Sequence, residues 1–354
     1  MHSVKVGFGT ILLSLLLVGS VSAQYIPKPK NPDTGPQTNS DEFPNPVGKT
    51  PTPSSAEPDN PLETFKVDVN VVNLLFNVKD KHGSLIPNLS KDDFQIAEDS
   101  KPQTIKYFKS ETNLPLTLGI LIDTSLSQDA VLPMEKQVGA EFLEQVLRDK
   151  DMAFVVSFDV NVDLLQDFTS SKRLLRSAME GTHINAAMGG SPGIGGGPFP
   201  TSRPKGTLLY DAVFLAANEK LSREVGRKAM ILLTDGEDQG SQLNLRDALT
   251  AAQKSDAIIY TLLISDAHVA FGNGEHDMKK LCEETGGRVI RVGNKIEKLR
   301  DAFNQISAEL RSQYSLGYTP TNNKRDGSFR EIDIKSKEGY KIQARKGYYA
   351  PRSN

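Results

Sequence analysis

An α/β fold with a mainly parallel central sheet and helices on both faces is predicted by three observations. Short apolar runs alternate with amphipathic stretches from Leu116 to Arg311. The runs, such as Leu116–Ile122 and Ala229-Met230-Ile231-Leu232-Leu233, are apolar along their length, as strands covered on both faces need to be. On either side of this region the chain turns to β-like segments separated by turn pairs, which predicts a small β-sandwich-like domain built from N- and C-terminal flanking strands.

The 354-residue chain is long enough for about two domains of roughly 150 residues. Its start reads as a secretory signal peptide over residues 1–23. His2 and Lys5 precede the apolar stretch Ile11–Val18, and Val21-Ser22-Ala23 offers small residues for cleavage. The apolar stretch is short of the roughly 20 residues a spanning helix needs, and an uncleaved N-terminal anchor is the alternative reading. Residues 24–62 are rich in Pro, Asn, Ser and Thr and read as a disordered linker, too poor in apolar side chains to offset the entropy of ordering.

Residues 63–112 carry the first part of the β domain. Phe65, Val67, Val69, Val71 and Leu75 suggest one strand, Phe94–Ala97 a second and Thr104–Phe108 a third, with turns at Lys81–Ser84 and Glu98–Pro102. The α/β domain follows over 114–312. Strands are expected at 116–122, 152–158, 162–168, 228–234, 257–264 and 288–292, the third antiparallel because its connection is short. Helices are expected at 131–148, 171–179, 208–221, 243–254, 278–285 and 296–311, from apolar spacing such as Val131, Met134, Val138, Phe142 and Val146. Residues 181–206 form a Gly- and Pro-rich loop. Residues 313–350 return to β character, with strands at 313–318, 329–334 and 340–344 that are expected to complete the small β domain.

Several functions are excluded. A net charge of −2 with scattered Lys and Arg does not fit a nucleic-acid binder or a polybasic membrane patch. The single cysteine, Cys282, cannot form an internal disulfide and reads as a small buried side chain on a helix. The histidines show no metal spacing. Gly193–Gly197 follows no strand and lacks a Lys-Ser/Thr tail, so it is no phosphate loop. No Ser-His-Asp arrangement is supported.

What remains is a set of oxygen ligands at strand ends, where open α/β sheets bind their ligands. Asp123, Ser125 and Ser127 follow the first strand, Asp235 follows 228–234, and Thr207 stands after Gly206 at a helix start. Taken singly, Asp123 is an ordinary helix-capping candidate and the serines are turn residues. Together they suit a hard divalent cation.

As they stand, Asp123-Thr124-Ser125-Leu126-Ser127, Thr207 and Asp235 resemble the von Willebrand factor type A domain and its metal-ion-dependent adhesion site. The resemblance covers about residues 114–312. The flanks, with Asp92-Asp93-Phe94, Lys101-Pro102-Gln103 and Gly347-Tyr348-Tyr349-Ala350, are similar to bacterial, acidobacterial-type exported proteins that carry such a domain. The resemblance implies a non-enzymatic, exported adhesion or protein-binding module in the periplasm, at the cell surface or outside the cell. It implies a divalent cation, Mg²⁺ first with Mn²⁺ or Ca²⁺ as alternatives, that captures an acidic group of a protein partner. It also implies a shift of the last helix, Ile296–Arg311, when ligand binds. Two alternatives stand beside it. One is a metal-dependent hydrolase with Glu237 as general base, and the other is a structural module with a silent metal.

Overall fold

The structure, a computed structural model, describes residues 71–111, 114–184, 206–264 and 273–353. The expected signal peptide and linker, and most of the Gly-rich loop, lie outside the described residues. In chain order the elements are β1 (Val72–Lys79), β2 (Phe94–Glu98), β3 (Lys101–Gln103), β4 (Ile105–Glu111), β5 (Leu116–Asp123), α1 (Leu132–Val146), β6 (Met152–Phe158) and β7 (Val162–Thr169). Then come α2 (Lys172–Gly181), α3 (Leu209–Leu215), β8 (Arg227–Thr234), α4 (Leu245–Lys254), β9 (Ala257–Leu263), α5 (Asn273–Thr285), β10 (Val289–Arg291) and α6 (Ile296–Arg311). The chain ends in β11 (Gln313–Tyr318), β12 (Phe329–Ser336), β13 (Lys341–Ala344) and β14 (Gly347–Tyr349).

One sheet runs in the order β10-β9-β8-β5-β6-β7. Its neighbours are parallel except at the β6–β7 edge. Both faces are covered, which is why the strands are apolar along their length. On one face Leu118, Ile120, Ile122, Ile231 and Leu233 pack under α1, α2 and α6. On the other, Leu121, Phe154, Met230 and Leu232 pack under α3, α4 and α5. Gly119 in β5 admits the ring of Phe154, which a Cβ there would meet at 2.5 Å. The caps follow local chemistry: Ser171 accepts from Leu174 N at the start of α2, and Asn244 and Asp247 form a capping box at α4. The helix expected over 208–221 is helical but uneven, since α3 passes into a π-helical turn at Ala216–Lys220 and a 3₁₀ turn at Leu221–Arg223. Ala216, Ala217 and Leu221 stay buried through the change.

The flanking strands form two antiparallel sheets, β13-β1-β11-β4 and β14-β12-β2-β3. Val72, Leu74, Phe76 and Val78 fill the space between them with Phe94, Ile96, Tyr314, Leu316 and Ile332. Along the described part of β1 the inward set is therefore the even-numbered residues, not the odd set ending in Val71 and Leu75; Val71 is 40% exposed. A strand flips all its side chains with a shift of one residue, and the stronger apolar partners across the sandwich decide the phase. Asp99 and Ser100, both with positive φ, form the tight β2–β3 turn. The short strand β14, absent from the sequence expectation, pairs with β12.

The two parts are joined by chain continuity, by bonds such as Lys346 N to Glu284 O and Arg345 to Asp256, and by one buried carboxylate. Only Ser312 separates α6 from β11, which lies between β1 and β4. Glu309 near the end of α6 accepts from Lys79 Nζ at 2.7 Å, Arg288 Nε at 2.9 Å and Gln343 Nε2 at 3.1 Å. The Asn77 amide faces Glu309 O at 2.9 Å and Ser312 O at 3.2 Å, two acceptors that assign its nitrogen to this side as the donor. Burial alone pushes the Glu309 carboxyl up, but Arg288 and Lys79 outweigh it and hold the pKa below the ordinary carboxylate value of 4.5.

Glu309→Ala leaves Lys79 and Arg288 facing a vacated buried site and is expected to cost about 3–5 kcal/mol in denaturant unfolding. The double variant Lys79→Met/Glu309→Leu costs less than the single one. Because the folded pKa of Glu309 is depressed, its stabilisation is present above the unfolded value of 4.5 and is lost as pH falls through the folded pKa. A single-variant cost below about 1 kcal/mol, the size of an exposed pair, contradicts this account.

Candidate functional site

The site grows out of the end of β5, all eight of whose residues are buried. β5 leads to β6 and β7 on one side of the sheet, while β8, β9 and β10 extend on the other. The β5–β8 boundary is therefore the point where strand order reverses, the place where open α/β sheets form their binding crevice. The parallel register pairs Ile122 with Leu233, so Asp123 and Thr234 end adjacent strands side by side.

Asp123 is fully buried. Its Oδ1 accepts from Ser125 N at 3.0 Å and its Oδ2 from Thr234 Oγ1 at 2.7 Å. Burial pushes the carboxyl up to about 7, and the charge of Asp235 adds to the rise against the hydrogen bonds from Ser125 and Thr234. Ser125 Oγ and Ser127 Oγ lie 2.9 Å apart, and Ser127 is exposed. Gln128 is buried beside them, with its Oε1 unpartnered.

The second loop is shaped by Gly236, at φ +88°, where a Cβ would press on Leu263 at 3.0 Å. Gly236 N donates to Thr234 Oγ1, and Asp235 Oδ1 accepts from Glu237 N at 3.1 Å. This loop reaches the third one through paired backbones, since Thr207 and Gln239 exchange two N–H···O bonds of 2.9 Å. Leu208 N donates to Asp159 O, and the Asp159 carboxylate accepts from Thr124 Oγ1 at 2.8 Å, which ties the Thr207 segment back to the first loop. Asp123, Ser125, Ser127, Thr207 and Asp235 thus stand on three loops that are hydrogen-bonded to one another or to a shared neighbour.

Neighbouring groups have structural partners. Asp238 accepts from Tyr210 N and Ser241 Oγ, Asp211 from Gln242 N and Leu243 N, and Tyr210 OH donates to Asp277. Cys282 is buried against Thr261, and burial pushes its thiol up to about 12, the opposite of a reactive thiolate.

Two residues that matter here went unassigned from sequence. Thr234 is the hydroxyl donor to Asp123. Glu135, on α1, is fully buried, and among the described residues neither carboxylate oxygen has a hydrogen-bond partner. Burial raises its pKa well above the ordinary carboxylate value, and the charges of Asp123 and Asp235 raise it further. Its sequence signal was an acidic side chain in phase with the buried stripe, three residues from both Leu132 and Val138.

The donor set fits a hard cation. It is made of oxygens, with one buried carboxylate, a second half-buried, and hydroxyls that run from buried Thr207 through half-buried Ser125 to exposed Ser127. Among the described residues no three His, Cys, Asp or Glu side chains converge as a ready-made metal cluster, so hydroxyls are needed to complete the set.

No protein-family model matches the chain, and no curated protein matches it. Solved structures are similar to it in part. BatB from Bacteroides thetaiotaomicron, a conserved hypothetical protein, is 18% identical with a TM-score of 0.41, over 56% of this chain and 100% of that one. The vWF domain of the type V pili tip protein Mfa5 from Porphyromonas gingivalis is 13% identical with a TM-score of 0.44, over 56% of this chain and 96% of that one. Proximal thread matrix protein 1 from the mussel byssus, with a zinc-occupied MIDAS motif, is 16% identical with a TM-score of 0.44 over 59% of this chain. The chain spans 48% of that protein's length. At this identity and overlap these similarities do not bear on what the chain binds. The strand order, the antiparallel edge strand β7 and the helices on both faces give the α/β unit a von Willebrand factor type A-type fold.

Proposed function

We propose that this chain is an exported binding module that captures an acidic group of a protein partner through a divalent cation. Asp123, Ser125, Ser127, Thr207 and Asp235 are the candidate ligands. The observation that carries this reading is the Asp123 carboxylate, wholly buried at a strand end and within reach of the charge of Asp235. Such a carboxylate is stabilised by a proton or by a cation. Oxygen donors suit Mg²⁺ first, with Mn²⁺ or Ca²⁺ as alternatives. When bound, the cation supplies an electrophilic position for an incoming carboxylate. The chain's own part is to hold Asp123 by the Thr234 and Ser125 donors and to present the exposed Ser127 hydroxyl outward. Export to the periplasm, the cell surface or beyond rests on the signal-like residues 1–23.

Titration of Mg²⁺ or Mn²⁺ into the chelator-stripped full chain is expected to show one binding event by calorimetry. Asp123→Ala or Asp235→Ala removes it, and Thr207→Ala weakens it by about tenfold. Affinity capture from the source cell then retains a protein with cation, and releases it with chelator or with Asp123→Ala. Cation binding that survives Asp123→Ala contradicts the site; capture that ignores the chelator contradicts the mode of recognition.

The raised pKa of Asp123 gives a pH signature. A carboxyl raised from 3.8 to about 7 on folding contributes stability that is fully present below 3.8 and lost as pH rises through about 7. The stripped wild type is therefore expected to lose melting temperature, relative to Asp123→Asn, between pH 5 and pH 8. Saturating cation reduces that loss. A wild-type minus variant difference that is flat across this range rules the account out.

A further inference from the structure

We propose that Glu135 is a positioning residue of the cation site, a third carboxylate that acts on the cation from the α1 side and strengthens its binding. This rests on the cation reading above and extends it from two carboxylates to three.

Glu135 sits in the first turn of α1, with no measurable exposure. The ordinary reason for an acid in a first helical turn is to accept from free backbone N–H groups or to face the positive end of the helix from the surface. Neither applies, because both of its oxygens lack any donor and the side chain lies within the stripe that carries Leu132, Val138 and Gly139 into the core. Among the described residues no Lys, Arg or His is paired with it, and the charges that act on it are those of Asp123 and Asp235. A fully buried carboxyl with no donor is costly to the fold, and an apolar residue in its place would carry no such cost.

In this reading the positive charge comes from the cation of the Asp123–Asp235 site. Leu132 and Val138, about one turn to either side of Glu135, pack in the same core cluster as Ile122, the neighbour of Asp123, so Glu135 lies on the α1 face that covers β5; among the described residues it forms no three-acid cluster with Asp123 and Asp235, which leaves it outside the ligand set. From there it adds negative charge on the buried side while Ser125 and Ser127 keep the outer side neutral. Ligand charge count tunes cation affinity, and losing a group that supports a site from behind its ligands costs about 10–100-fold in affinity where that group is bonded to them. Gln128, buried in the turn beside Ser127, also has an Oε1 without a donor among the described residues.

The test is Mn²⁺ calorimetry on the chelator-stripped full chain, comparing wild type, Asp123→Ala, Glu135→Gln and Glu135→Leu, with melting temperatures in chelator and in saturating Mn²⁺ on the same samples. Expected is a loss of affinity of about tenfold or more for both Glu135 variants. Glu135→Leu is also expected to melt higher than wild type in chelator, while gaining less from Mn²⁺. If wild type binds Mn²⁺, Asp123→Ala does not, and both Glu135 variants bind as wild type, Glu135 is a buried neutral acid and this proposal fails while the site stands. If wild type itself binds no Mn²⁺, both fail. If Glu135→Gln does not fold, Glu135→Leu decides by the same affinity criterion.

Discussion

A carboxylate with no exposure at the end of a fully buried strand is the constraint on which the site depends. β5 is covered on both faces and paired on both edges, so the chain leaves it with Asp123 still inside. Removing a charge from water without compensation is costly, and the surroundings are arranged around that cost. Thr234 ends the neighbouring strand in register to donate its hydroxyl, and the turn into Ser125 brings a backbone N–H to the other oxygen. Gly236 then lets the Asp235 loop fold tightly enough to approach the same point. Two donors offset part of the desolvation and leave the carboxyl raised, a state open to a proton or a cation.

The sandwich is sewn from the two ends of the described chain, and this has consequences for the helix between them. β1 precedes the α/β unit and β11 follows it, yet they pair over five residues from Val72↔Tyr318 to Phe76↔Tyr314. Such pairing closes a loop of the size of the whole α/β unit, so it forms only at the entropic cost of that closure and is supported by the aromatic packing of Phe76, Phe94, Phe108 and Tyr314. The α/β unit is therefore held at both its entry and its exit.

Much of this was legible in sequence where residue type and position coincide. Apolar runs marked β5, β6, β8 and β9, because strands covered on both faces leave no polar phase to confuse with a helix. Asp123, Ser125 and Ser127 after β5, Asp235 after β8 and Thr207 at a helix start were singly ordinary, and it was their joint resemblance to one family motif that picked them out. Glu135 did not stand out, since one acid in an amphipathic helix reads as surface until its phase against Leu132 and Val138 is counted. Thr234 was hidden by being the last residue of an apolar strand, where a hydroxyl passes for a β-former. The phase of β1 depended on partners more than 200 residues away in β11, which no local window contains. The short β14 depends on β12 for its existence in the same way.

The anchoring of α6 bears on how a signal could leave the site. Its C-terminal end is fixed by Glu309 to Lys79, Arg288 and Gln343, and by Arg311 to Gln145 O. One residue later the chain is β11, paired on both sides over six and five residues. A helix that slides along its axis must therefore break the Glu309 pairs or shift the register of two strand ladders at once, and a register shift by one residue turns Tyr314, Leu316 and Tyr318 out of the sandwich core. The shift of the last helix implied by the family resemblance cannot here be absorbed by a loose linker. Movement at the site end of the α/β unit is either stopped by the Glu309 pairs or passed whole to the sandwich, which makes the two parts a single mechanical unit rather than a binding head on a tether.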